Sequence, residues 1–326
     1  MILVTGGAGF IGSNLINELC RKNIKTVLCD YKSKLEKSYF EQINKISHII
    51  EPQNIENFLK KEKIKVIFHL GAISSTTYPD TNKIWLNNIY FSEKIWKLCI
   101  LHNIRLIYAS SAATYGDGTQ GFIDKPDISY LKLLKPLNVY AWTKNEVDKR
   151  NVYCKSYLNL APPQWISLKF FNVYGPNEFH KKNMISIALK TFQQIKKNET
   201  TSLFKSHNIS FKDGEQKRDF IYVKDCIKVL IWFLEKPNIS GIYNVGTGKA
   251  RTFNDLVSNV YNNMKKNINL KYIDMPEEIR NQYQYFTQAN TSSLSNVGYD
   301  KSFYSLEEGI SDYINNHLNL KDNEIS

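Results

Sequence analysis

Tyr140 and Lys144 stand four residues apart, so on a helix they share one face. A tyrosine hydroxyl ordinarily titrates at about 10, too high for a base at neutral pH. A neighbouring ammonium stabilises the phenolate and lowers that value, so the hydroxyl can take or give a proton. The spacing alone is weak, because Tyr90/Lys94 and Tyr261/Lys265 share it among 20 tyrosines. Context separates the pairs. Only Tyr140 follows, by about thirty residues, a strand end rich in hydroxyls, Tyr108-Ala-Ser-Ser-Ala-Ala-Thr-Tyr-Gly116. Open α/β sheets place their ligands at such strand ends, so Ser110 and Ser111 are candidates to orient a substrate hydroxyl. For the other two pairs a solvated helix face is the expectation.

Thr5-Gly6-Gly7-Ala8-Gly9-Phe10-Ile11-Gly12 follows a short apolar run and opens a helical pattern. Gly6 permits a tight turn, Gly9 lets backbone approach a pyrophosphate, and Gly12 lets helix and strand pack closely. The helix N-terminus then offers unpaired N–H groups to phosphate. Asp30 follows at the end of the second strand, placed to accept from an adenosine ribose hydroxyl. These features predict a bound nicotinamide dinucleotide, whose positive ring would favour the Tyr140 phenolate further. Asp30 favours NAD, whereas Lys32, Lys34 and Lys37 suit a 2′-phosphate. The residues leave NAD and NADP tied.

The elements that must hold these groups alternate. Met1–Val4, Thr26–Cys29, Val66–Leu70, Leu106–Ala109 and Trp165–Phe170 read as buried strands. Between them, Ile11, Leu15 and Leu19 mark one helix, Asn87–His102 another and Tyr140–Tyr157 a third. The pattern predicts an α/β fold, a Rossmann doubly wound parallel sheet. After Phe171 it loosens into turns at Gly175-Pro176 and Asp213-Gly214, with capping boxes at Thr252–Asp255 and Ser305–Glu308. We expect residues 1–170 to form the dinucleotide-binding domain, with 217–245 returning to it. Residues 171–216 and 246–326 are then a smaller mixed α/β C-terminal substrate domain.

The chain has 326 residues, 42% hydrophobic and 23% charged, an ordinary globular balance. No apolar run reaches membrane-spanning length. Cys20, Cys29, Cys99, Cys154 and Cys226 are scattered, odd in number and without a C-x-x-C pair. Buried reduced thiols in a cytoplasmic protein are expected, with neither a disulfide framework nor a metal. No signal peptide is read at the N-terminus. The net charge of +12 points to an anionic partner. Nucleic acid is disfavoured because no helix concentrates Lys/Arg with interleaved aromatics.

The glycine turn, Ser111 and Tyr140/Lys144 resemble the extended short-chain dehydrogenase/reductase superfamily. Longer strings narrow the likeness: His69-Leu-Gly-Ala-Ile-Ser-Ser-Thr-Thr77, Lys135-Pro-Leu-Asn-Val-Tyr140, Phe171-Asn-Val-Tyr-Gly-Pro176, Lys217-Arg-Asp-Phe-Ile-Tyr-Val223, Gly241-Ile-Tyr-Asn-Val-Gly-Thr-Gly248 and Tyr283-Gln-Tyr-Phe-Thr-Gln288. Together, from Met1 to about Phe303, they resemble the ADP-L-glycero-D-manno-heptose 6-epimerase family, the nucleotide-sugar epimerases of lipopolysaccharide core heptose biosynthesis. The resemblance implies oxidation of sugar C6 by NADP to a transient 6-keto sugar, then hydride return to the opposite face. It makes Tyr140 and Lys181 the two proton handlers, Lys144 the partner of Tyr140, and Ser111 the group that orients the C6 oxygen. It places Phe10, Ile11, Asp30, Tyr31, Lys37, Leu70, Gly71, Ala72, Ile73, Ser74, Asn87 and Val173, with Tyr140, Lys144 and Lys181, around the cofactor. Asn172, Asn183, Lys190, Phe211, Asp213, Arg218 and Tyr283 would line the ADP-heptose. It further implies a homo-oligomer, a pentamer in the family.

Departures from the family pattern occur at Tyr31, where Asn is usual, and at Leu70, Asn177, Lys182, Asn183 and Lys190 in the pocket. A UDP-hexose 4-epimerase and a catalytically silent NAD(P)-binding module are the alternatives. The segments Ser74–Thr77 and Glu178–Lys181 favour the heptose reading over the first. The retained Tyr140 and Lys144 oppose the second.

Overall fold

In the computed structural model, residues 1–36, 40–76, 78–280 and 282–320 are described, apart from the side chains at positions 182 and 183. The strands are β1 (Ile2–Thr5), β2 (Thr26–Cys29), β3 (Ile46–Ile50), β4 (Val66–His69), β5 (Arg105–Ser111), β6 (Trp165–Phe170), β7 (Asn172–Tyr174), β8 (Thr201–Phe204), β9 (Lys217–Tyr222), β10 (Gly241–Val245), β11 (Ala250–Thr252) and β12 (Leu270–Ile273). The principal helices are α1 (Phe10–Arg21), α2 (Ile55–Lys61), α3 (Phe91–Leu101), α4 (Val139–Leu158), α5 (Ile187–Lys196), α6 (Val223–Glu235), α7 (Phe253–Asn263) and α8 (Leu306–Tyr313).

Seven strands pair in the order β10-β6-β5-β4-β1-β2-β3, all parallel. Strand order reverses between β1 and β4, and this switch point opens the ligand crevice of doubly wound sheets. The four-residue runs of β1, β2 and β4 are buried throughout because helices cover both faces. On one face Leu15, Ile16 and Leu19 of α1 pack with Val229 and Phe233 of α6. On the other, Leu59 of α2, Ile95 and Trp96 of α3 and Val147 of α4 meet Leu3, Ile67 and Leu106.

The observed bounds refine the expected ones. The first strand ends on Thr5 rather than Val4, β4 stops at His69, and β5 reaches Ser111. β3 was not anticipated. It is a half-exposed edge strand carrying Ser47 and His48, so it lacks the continuous apolar run of its neighbours. Both capping boxes are formed, at Thr252/Asp255 and Ser305/Glu308.

After β6 the chain builds a second layer. β11, β9 and β7 form a three-stranded sheet and β12 pairs with β8. Their core draws on Leu189 and Phe192 of α5, Leu256 and Val260 of α7, and Ile310 and Tyr313 of α8. Phe10, the first residue of α1, also belongs to that core. The glycine turn is thereby joined directly to the second layer. α6 packs on α1 and β10 pairs with β6, so the chain after β9 rejoins the large sheet.

Candidate active site

Gly6 has φ +67, a conformation that favours glycine, and a Cβ there would lie 2.5 Å from Cα of Gly71. A Cβ on Gly12 would lie 2.1 Å from the Gly6 carbonyl oxygen. The turn after β1 and the loop after β4 therefore meet at backbone contact, and α1 starts against them. Gly9 caps α1 without a side-chain hydrogen bond, so the first N–H groups of the helix face the crevice. Asp30 is only 3% exposed. One of its oxygens accepts from Ala8 N–H at 3.1 Å and the other from Tyr31 N–H at 2.9 Å. That carboxylate is knitted to the glycine turn, where a ribose would lie. The donor set, the bare backbone and the acid fit a dinucleotide.

Tyr140 sits in the first turn of α4, whose cap is Asn138 accepting from Ala141 N–H at 2.9 Å. Ser111, at the last position of β5, shares a side-chain hydrogen bond with the Tyr140 hydroxyl. Lys144 lies one helical turn on, buried, and donates to the Ala109 carbonyl at 2.7 Å. Burial pushes the Lys144 ammonium down to about 8, opposed by the nearby Asp148 carboxylate. Burial raises the Tyr140 phenol above its ordinary value, and the Ser111 hydrogen bond pulls it back. Of these two effects desolvation is the larger. Ser110, beside Ser111 on the strand, points to the other side and donates to Asp148 at 2.6 Å. The two serines therefore divide into one facing the crevice and one holding the layer beneath.

The other Tyr/Lys pairs are structural. Tyr90 is exposed and stacks on Trp85, while Lys94 pairs with Glu56 at 3.2 Å. The Tyr261 hydroxyl is bound to Thr201 and the Asn269 carbonyl. Tyr261 is thus buried in the core rather than on the expected solvated face.

Lys181 follows β7 in a short helical segment, with its ammonium 4.9 Å from the centre of the Phe10 ring. Burial lowers its pKa and the Glu178 carboxylate opposes that shift. Its segment is tied down by Asn14, which donates to the Pro176 carbonyl at 2.9 Å, and by Asn177, which donates to Ser13 at 3.3 Å. Lys181 is thus held over the glycine turn. Ile11 and Val173 pack against the same two cores.

Arg218 is buried on β9 with no carboxylate partner among the described residues. Its guanidinium lies between the rings of Tyr283 at 5.0 Å and Phe253 at 5.6 Å, and one nitrogen donates to the Lys217 carbonyl. Asp219 faces away and accepts from Thr247, Gly248 and Ala289. A buried, ring-clamped guanidinium without a counter-charge can receive an anion. Tyr285 extends the aromatic wall, edge-on to Tyr283 at 5.1 Å and tilted against Phe211 at 5.5 Å.

A model of the NAD dependent epimerase/dehydratase family matches residues 2–246. The chain belongs to that family. It is 42% identical over 334 aligned residues, 99% of either chain, to the ADP-L-glycero-D-manno-heptose-6-epimerase of Fusobacterium nucleatum. The solved structure of the Helicobacter pylori ADP-L-glycero-D-manno-heptose-6-epimerase superposes with a TM-score of 0.76 at 28% identity, covering 96% of this chain and 94% of that one. A variant of Bacillus cereus UDP-glucuronic acid 4-epimerase, solved with a UDP-sugar analogue and NAD, superposes with a TM-score of 0.79 at 23% identity, over 98% and 99% of the two chains. The last likeness is one of fold alone. The protein is an epimerase that uses a nicotinamide cofactor.

The remaining predicted positions of the epimerase have differing surroundings. Leu70, Gly71, Ala72, Ile73 and Ser74 form the loop after β4 that borders the crevice. Asp213 accepts from Ser206 N–H at 2.7 Å in the turn that carries Phe211, and Asn172 accepts from Thr287 at 3.4 Å. Tyr31 is exposed beside Lys34, whose ammonium is 3.8 Å from Asp30. Lys190 is exposed on α5, and no ring or hydrogen-bond contact ties its side chain to the others among the described residues. Asn87 bonds back to Lys83 in its own helix at 2.8 Å. Lys37 and the side chain of Asn183 lie outside the described residues.

Asn88, which sequence reasoning passed over, is fully buried. Asn88, Ser92 and Ile95 follow a helical spacing on the buried face, a signal that distinguishes Asn88 from Asn87. Phe253 and Tyr285 were also missed, since only folding brings them to Arg218 and Phe211.

Proposed function

We propose that this epimerase inverts C6 of ADP-D-glycero-D-manno-heptose to give the L-glycero epimer. The observation that carries the reading is the buried guanidinium of Arg218, clamped between aromatic rings beside the crevice, in a chain closely similar to a heptose epimerase. A diphosphate fits the guanidinium fork, and an adenine fits the aromatic wall of Phe211, Tyr285 and Tyr283. When bound, the nicotinamide dinucleotide supplies a hydride acceptor and donor that is regenerated within each turnover. Ser111 orients the C6 oxygen through the hydrogen bond it shares with Tyr140. Tyr140 accepts the hydroxyl proton as C6 is oxidised, and the ammonium of Lys144 supports the phenolate. Lys181 serves the second orientation of the transient carbonyl, so that a proton can be handled on either side.

We assign NADP as the cofactor. Lys34 beside Asp30 and Tyr31 supports a 2′-phosphate, and the dinucleotide that co-purifies tests it. The five free cysteines support a reducing, cytoplasmic setting. Exposed Trp85, Tyr90 and Trp142 support a homo-oligomer. Of the expected return at 217–245, β9 (Lys217–Tyr222) pairs with β7 and β11 in the second layer, so residues 1–170 and 223–245 are assigned to the cofactor domain and the rest to the sugar domain.

The substrate reading is tested by offering ADP-heptose and UDP-galactose to the purified protein. Epimerisation of ADP-heptose is expected, falling by about 10²–10⁴ in Tyr140→Phe. Turnover of UDP-galactose alone would overturn the reading.

A further inference from the structure

A row of buried polar side chains joins the cofactor cradle to the helix that carries Tyr140. Thr5, the last residue of β1, accepts from Gly71 N–H at 3.4 Å and lies 2.7 Å from Nδ1 of His69. Nε2 of His69 lies 2.9 Å from the Ser92 hydroxyl, which in turn lies 2.6 Å from the Asn88 carbonyl. The Asn88 side chain closes a two-way clamp on Ile73, accepting from its N–H at 2.8 Å and donating to its carbonyl at 3.0 Å. It also donates to the Thr143 hydroxyl at 3.1 Å, and Thr143 donates to the Tyr140 carbonyl at 2.7 Å. Thr5, His69, Asn88 and Thr143 are each at most 3% exposed, and Ser92 is 7% exposed.

The donors in this row have one consistent direction. The Asn88 carbonyl can only accept, so the single Ser92 proton is committed to it. Nε2 of His69 must therefore carry the proton it shares with Ser92. Thr5 is already an acceptor for Gly71 N–H, which leaves its own proton for Nδ1. His69 is thus neutral and protonated on Nε2. Burial and the nearby Lys144 ammonium hold its pKa well down, and the Phe91 ring packs edge-on at 5.5 Å.

We propose that this one-way chain, from Gly71 through Thr5, His69, Ser92, Asn88 and Thr143 to Tyr140, fixes the Tyr140 hydroxyl relative to the cofactor-facing loop 70–74, with Asn88 and Thr143 as positioning residues. The proposal rests on the acid/base role given to Tyr140 above. The Asn88 side chain bolts two segments together, the loop after β4 through Ile73 and the first turns of α4 through Thr143. A catalytic hydroxyl displaced by a fraction of an ångström loses rate without losing binding.

The test uses the full chain with its co-purified dinucleotide. NMR of isotope-labelled histidine, with the His69 signal assigned by its loss in His69→Gln, should show a neutral imidazole protonated on Nε2 down to about pH 5.5. Kinetically, Thr143→Val should lower kcat about tenfold with KM and cofactor occupancy within about twofold. Thr143→Ser should restore most of that loss, and Thr143→Val in a Tyr140→Phe background should cost nothing further. Where Thr143→Val is insoluble, Ser92→Ala is read by the same criteria. An imidazolium, a proton on Nδ1, a kcat within about twofold of wild type, or an equal loss in the Tyr140→Phe background would each overturn the proposal. If wild-type protein does not turn over ADP-heptose, the substrate reading fails while the NMR result still decides the chain.

Discussion

At the scale of single residues, burial sets the chemistry. Burial brings the Lys144 ammonium down to about 8, and it also lowers the Arg218 guanidinium, which lies between two rings with no carboxylate partner among the described residues. Arg218→Lys removes the planar fork while keeping the charge. We expect KM for the nucleotide-sugar to rise about tenfold or more with kcat changed only a few-fold, measured by steady-state kinetics. His69 supplies a pH prediction. Its pKa is about 3 in the folded chain against an ordinary 6.5, so the unfolded chain binds the proton more readily between those values. Its stabilising contribution is complete above pH 6.5 and is lost as pH falls towards 3. Denaturant midpoints measured from neutral to acid pH should therefore fall less steeply in His69→Gln than in wild type.

At the scale of elements, α4 is held to β5 and β6 by a buried charge network as well as by the apolar contacts of Val147 and Val152. Asp148, fully buried, accepts from Lys169 at 2.8 Å, Ser110 at 2.6 Å, Ser167 at 2.7 Å and Tyr108 at 3.1 Å. Lys169 also donates to Thr114 and lies over the Tyr115 ring. Removing one partner leaves an uncompensated charge. Lys169→Met is expected to cost about 3–5 kcal/mol in urea melts, and Lys169→Met with Asp148→Leu to recover a large part of it. The apolar periodicity of α4 is correspondingly weak, and the Asn138 cap that starts it emerged only in the structure. β3 was illegible for a related reason: an edge strand with one solvated face needs no continuous apolar run.

At the scale of the whole molecule, the active site lies where the two layers meet. Phe10 opens α1 and yet packs in the second core, and Asn14 and Asn177 lash the Lys181 segment to α1. The charge of +12 is spread over exposed lysines, while the cations facing the crevice, Lys144, Lys181 and Arg218, are few and enclosed. Retention on random duplex DNA should therefore be weak and lost by about 0.15 M salt, whereas the bound dinucleotide survives the same wash. A gradient elution with absorbance of the eluted cofactor checks both.

The sequence by itself determined the parts whose information is local. Glycine spacing, the strand runs of the parallel sheet, the capping boxes and the Tyr140/Lys144 register depend on neighbours a few residues away. Tertiary structure alone decided which groups became chemically distinct. It put Ser111 in the crevice and Ser110 beneath it, turned Asp219 away from Arg218, and chose Asn88 over Asn87 as the clamp on Ile73. Those outcomes follow from desolvation and from partners 15 to 70 residues distant. Neither quantity is written in the spacing of neighbouring residues.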